Sequence, residues 1–196
     1  MRGGSKERYP MGSRVRWDIP ARGDMPPVKA YWYEGFNQGA SGNAVGKLKA
    51  AKGTDRNFPP LLAELQKQYP DEEMDRPDSG TIYVGEKGIL YTGTYGGKFH
   101  ILPIEKMNQI TQPPRTLPRP KNSMTNFLTA CREGRTDTAA SFDYGARLTE
   151  FTLLGNLAQH AGVRKKVEWE GPNMKVTNLP GLNEWLQRPY RKGWKA

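Results

Sequence analysis

Gly80-Thr-Ile-Tyr-Val-Gly-Glu-Lys-Gly-Ile-Leu-Tyr-Thr92 sets two short runs of β-branched and aromatic residues on either side of the turn Glu86-Lys87-Gly88. A third run, Lys98-Phe-His-Ile-Leu102, follows after the glycine turn Thr94-Tyr-Gly-Gly97. Links this short, with no helix alternating between the runs, predict antiparallel pairing rather than a doubly wound parallel sheet. The same reading extends upstream. In Ser13-Arg-Val-Arg-Trp-Asp-Ile19, the residues Val15, Trp17 and Ile19 alternate onto one face, as in a half-buried strand. Pro20–Pro27 breaks that run, and Val28-Lys-Ala-Tyr-Trp-Tyr33 returns as an aromatic partner strand.

Two longer segments carry a helical period. Asn122 or Ser123 can cap a helix in which Met124, Phe127, Leu128 and Cys131 fall at i, i+3, i+4 and i+7, with Gly134 as its stop. That stripe predicts a buried face, with Cys131 as a small hydrophobe. A second helix is predicted from about Asp143 to Ala161, with Leu148, Phe151, Leu154, Leu157, Ala158 and Ala161 as its apolar stripe. Gly155 in its middle costs about 1 kcal/mol against Ala, which points to another element packing closely there. A shorter helix opens at Pro59-Pro60, and the pieces 167–169 and 174–176 read as short strands. The resulting fold class is α+β: an open, mainly antiparallel sheet with helices packed on one face. Residues 1–12 read as a flexible N-terminal segment and 13–196 as one domain. That domain carries a long glycine-rich loop at 35–57 and a proline-rich strap at 111–120.

The chain has 196 residues, 36% of them hydrophobic, with 30 Lys+Arg against 20 Asp+Glu for a formal charge of +10. The charge divides as +6 over 1–56, −3 over 57–112 and +7 over 113–196. Its densest runs, Arg164-Lys165-Lys166 and Arg191-Lys192, are too short for a phosphate-tracking stripe, so nucleic acid is not expected as a partner. No apolar run approaches the roughly 20 residues of a membrane span, and no secretory h-region follows Arg2, Lys6 and Arg8. These features predict a cytoplasmic chain with no membrane partner. A single cysteine forbids an internal disulfide, and His100 and His160 are too few for a histidine metal centre, so no metal is expected.

The phosphate- and dinucleotide-binding motifs are missing as well. There is no G-x-G-x-x-G and no G-x-x-x-x-G-K-[ST]; the nearest run, Gly93–Gly97, lies between two strands. Neither G-x-S-x-G nor H-E-x-x-H occurs. The acidic cluster at 71–78 lacks calcium-loop spacing. The substrate-binding candidates are Arg22, Tyr95, Lys98 and His100. Arg22, in a loop flanked by Pro and Gly, can fork onto a carboxylate or phosphate, and the other three gather at a hairpin end.

Several runs, taken together and in order, resemble the carboxy-terminal domain of the bacterial glucose–fructose oxidoreductase and inositol dehydrogenase (Gfo/Idh/MocA) family. They are Trp17-Asp-Ile-Pro-Ala-Arg-Gly23, Met25-Pro-Pro-Val28, Tyr31-Trp-Tyr33, Ser141-Phe-Asp-Tyr144 and Leu148-Thr-Glu150. Further along come Leu153-Leu-Gly-Asn-Leu-Ala158, Glu168-Trp169, Asn173-Met-Lys-Val-Thr-Asn178 and Tyr190-Arg-Lys-Gly-Trp194. The resemblance implies a substrate and oligomerisation domain of an NAD(P)-dependent sugar or cyclitol oxidoreductase. It also implies self-association through the sheet face, a Rossmann-domain partner and a small sugar or polyol ligand. Full-length relatives use NAD or NADP. This chain carries neither the fingerprint nor the family's catalytic Glu-Lys-Pro lysine and histidine motifs, so no cofactor is expected in it and no catalytic residue carries over. By resemblance it begins inside the second domain, as a fragment, truncated product or split chain, and it is not a complete enzyme. The alternative is a free-standing, non-catalytic module that self-associates or binds carbohydrate.

Overall fold

The computed structural model describes residues 10–36, 56–72, 74, 80–187 and 189–194. The rest of the expected N-terminal segment, most of the 35–57 loop and most of the acidic cluster lie outside the described residues. The fold class is α+β, and all strand pairing is antiparallel. Among the described residues the pairing is divided among three small sheets rather than gathered into one open sheet. Each short link closes a ladder locally, and no described strand joins one ladder to the next. The span 13–196, expected as one domain, packs as two compact units: Met1–Asn57 with Pro120–Ala196, and Phe58–Arg119.

In the first unit, β1 (Gly12–Ile19) pairs with β2 (Val28–Gly35), with Val15 opposite Trp32 and Trp17 opposite Ala30. Ser13 and Val15 are buried and Trp17 half-buried, while Arg14, Arg16 and Asp18 are exposed, as the alternation predicts. The long helix Phe142–Ala161 packs on β1. Trp17 stacks on Phe151 with ring centroids 4.6 Å apart and passes directly over Gly155. The close approach expected at that glycine is therefore supplied by Trp17. β6 (Trp169–Glu170) pairs with β7 (Lys175–Val176), and a 3-10 turn at Pro180–Trp185 closes over them. Leu157, Val176 and Leu182 form the core between that turn and the helix. His160, near the helix end, stacks on Trp185 at 3.9 Å.

The helix Ser123–Glu133 is capped as predicted. Asn122 Oδ1 accepts from Thr125 N–H at 2.8 Å, and Gly134 takes the left-handed conformation at φ 63°. Its expected burial does not hold. Met124, Phe127, Leu128 and Cys131 are all exposed, and only Ala130 is buried. Periodicity fixes which residues share a stripe but not whether a partner covers it, and no described element does so.

The second unit holds β3 (Gly80–Gly85), β4 (Gly88–Gly93) and β5 (His100–Leu102) in that spatial order, with α1 (Pro60–Gln68) and a short α2 (Ile104–Gln109). In chain order, the two helices of the first unit are thus α3 and α4. Leu62 and Leu65 of α1 meet Tyr91, Leu102 and Met74 in a compact core. The strap 111–120 is exposed along its length, as its prolines predict. Among the described residues no helix is long and apolar enough to cross a membrane.

Candidate functional site

The four sequence candidates do not share a unit. Arg22 sits in the β1–β2 connection of the first unit, where it exchanges both backbone hydrogen bonds with Met25 at 3.0 Å and its side chain is exposed. Tyr95, Lys98 and His100 belong to the second unit. Tyr95 and Lys98 lie in the turn after β4 with φ of 58° and 46°, and Tyr95 is fully exposed. His100 faces inward, with Nδ1 2.9 Å from Glu72 Oε2 and its ring 6.1 Å from that of Tyr91. His100 is thus held by a carboxylate beside a core tyrosine, with its side chain largely out of water.

Sequence reasoning missed the most developed polar arrangement, which is centred on Asn57. Asn57 Nδ2 donates to the carbonyls of Ser13 (2.7 Å) and Glu34 (3.1 Å), and its Oδ1 accepts from Arg14 Nε at 2.8 Å. Ser13 Oγ donates to Glu34 Oε1 at 2.5 Å. From α4, Gln159 Nε2 reaches both Ser13 Oγ (3.0 Å) and Glu34 Oε1 (2.8 Å). The amide nitrogen must face that carboxylate, because an amide oxygen there would be repelled, and this leaves the buried Gln159 Oε1 without a hydrogen bond. The only sequence signal was Ser13 and Glu34 falling opposite each other once the strand register is set.

Beside this network runs a cleft of about 1030 Å³, entirely within the first unit. Gly12–Pro20 forms one wall, Gly162–Trp169 the other, and Phe151, Leu154 and Ala158 lie between them. The second wall turns through Gly162 (φ 100°) and Arg164 (φ 60°), which brings Arg164, Lys165 and Lys166 to the cleft. Trp169 is pinned by Nε1 to Glu150 Oε1 at 2.6 Å.

The outer face of the hairpin is a separate surface. Register places Arg14 opposite Tyr33, Arg16 opposite Tyr31 and Asp18 opposite Lys29, all on one face. Arg14 lies over the Tyr33 ring at 5.5 Å, Arg16 pairs with Asp18 at 3.0 Å, and Tyr31 is exposed. Among the described residues no group of His, Cys, Asp and Glu can hold a metal ion. Gly93–Gly97 joins β4 to β5, and the one helix that follows a strand closely, α2, is entered through Pro103 rather than glycine. No family model, curated protein or solved structure matches this chain.

Proposed function

We propose that the chain is a substrate-binding and self-associating domain related to the NAD(P)-dependent sugar and cyclitol oxidoreductases. The ordered sequence runs support the relationship, and the outer face of the β1–β2 hairpin supports the activity. Tyr31 and Tyr33 lie there in a row beside Arg14, Arg16, Asp18 and Lys29. An aromatic ring offers an apolar platform, and the guanidinium, ammonium and carboxylate groups can donate to or accept from ring hydroxyls. The exposed Tyr31 and the half-buried Tyr33 beside it also suit a contact between two copies of the chain. Hydride chemistry is assigned to a companion Rossmann-type domain that holds NAD or NADP. If no such companion exists, the second reading is a non-catalytic carbohydrate-binding or self-associating module, which the same face serves.

Calorimetric titration of the purified chain with inositol, glucose and NAD(H) tests this reading. Saturable heat is expected from a sugar or cyclitol and is expected to disappear in Tyr31→Ala. Tight binding of NAD(H) to the chain alone would overturn the division of labour. Light scattering that shows a strict monomer at all concentrations would remove self-association.

A further inference from the structure

We propose that the cleft of the first unit takes an extended acidic peptide, added as a third strand to the outer edge of β1. The lining residues locate that edge. All nine residues from Gly12 to Pro20 touch the cleft, yet none from Val28 to Gly35 does. Phe36 and Asn57, which bonds to Gly35 C=O, reach the cleft at its Gly12 end, so it is from Val15 to Pro20 that it follows the side of β1 away from β2. Phe36 N–H donates to Met11 C=O at 3.1 Å, and bonded pairs recur every second residue from there. Ser13, Val15, Trp17 and Ile19 therefore bond to β2, while Arg16 and Asp18 turn their peptide groups outward. No described residue bonds to the peptide groups of Arg16 or Asp18. On the facing wall, Glu168 C=O accepts from Thr177 N–H (3.0 Å) and Glu168 N–H donates to Asn178 Oδ1 (2.9 Å). Lys166 C=O accepts from Asn178 Nδ2 at 2.8 Å. Because these groups point away from the cleft, the intervening Val167 turns its N–H and C=O toward it.

The shape and charge of the cleft select the occupant. The stretch Val15–Ile19 presents an edge about 16 Å long, which fits an extended chain better than a compact ligand. Arg16 pairs with Asp18 and Lys166 with Glu168, so among the described residues Arg164 and Lys165 carry the uncompensated charge of the lining, whereas Phe151, Leu154 and Ala158 between the walls are apolar. The matching segment alternates apolar and acidic residues, the apolar ones toward α4 and the acidic ones toward Arg164 and Lys165.

The test uses a fluorescein-labelled eight-residue peptide alternating valine and glutamate, followed by anisotropy. Saturable binding is expected. N-methylation of alternate amides should weaken it at least about ten-fold on one edge of the peptide, since main-chain bonds carry the affinity. Replacing every glutamate by lysine should abolish binding. Arg16→Pro removes an outward N–H without touching the β1–β2 ladder and should weaken binding to a similar degree, with circular dichroism as the folding check. If that variant does not fold, the N-methyl series decides. No saturable binding, equal binding of both N-methylated forms and the parent, or equal binding of the lysine peptide would each overturn the proposal.

Discussion

A Cβ added to Gly155 of α4 would lie 2.7 Å from Cζ2 of Trp17, so α4 and β1 approach tightly at this point. The indole covers the glycine and stacks on Phe151 one turn earlier, so one missing side chain sets the distance between helix and strand. Alanine in mid-helix gains about 1 kcal/mol in propensity, but forcing a methyl into a packed ring costs about 1–3 kcal/mol. Gly155→Ala is therefore expected to lower stability in urea unfolding. Gly145 of the same helix has nothing within 4 Å of its ideal Cβ, so Gly145→Ala should raise stability by up to about 1 kcal/mol. A stabilised Gly155→Ala would remove Trp17 from its assigned place.

Asn57 ties β1, β2 and the Arg14 side chain together while almost fully buried itself. Truncation removes three hydrogen bonds, one of them from a cation. Asn57→Ala is expected to cost about 2–3 kcal/mol by chemical denaturation, well beyond a surface change. Asn57→Asp keeps the acceptor toward Arg14 but loses the donors to Ser13 and Glu34, so it should recover only part of that loss.

How much of this was legible in the sequence depends on the range of the interaction. The strand runs, their turns, the Asn122 cap, the Gly134 stop and the tight contact at Gly155 were readable because each rests on a local rule of backbone or spacing. The partner at Gly155 was not readable, because Trp17 lies far away in the chain. The Asn57 network was invisible for the same reason: it gathers residues 13, 14, 34, 57 and 159, and no spacing rule links them. Arg22 stands out by its Pro- and Gly-flanked loop, and Tyr95, Lys98 and His100 by their place at a hairpin end. Those criteria find exposed side chains such as Arg22 and Tyr95, but they cannot separate them from His100, which the fold turns toward Glu72.

His100 and Glu72 meet with both side chains largely out of water, at 17% and 20% exposure. Losing either one leaves the other short of a partner in the second unit. His100→Ala and Glu72→Ala are each expected to destabilise by about 1–2 kcal/mol, and the double variant should lose little more than either single one. A double-mutant cycle by thermal unfolding measures that coupling. Full additivity would show that the pair is not a working contact.

The stripe on α3 separates a sequence expectation from the observed structure most sharply. If Phe127 packed a core, Phe127→Glu would cost several kcal/mol, as large core truncations do. Phe127 is instead more than half exposed, beside Met124 and Leu128. Phe127→Glu should therefore shift stability by no more than about 0.5 kcal/mol, whereas Leu157→Ala in the buried cluster with Val176 and Leu182 should cost about 2–5 kcal/mol. Urea unfolding of the two variants side by side reads the difference directly. A collapse of Phe127→Glu comparable to that of Leu157→Ala would mean that this helix face is covered in the folded protein.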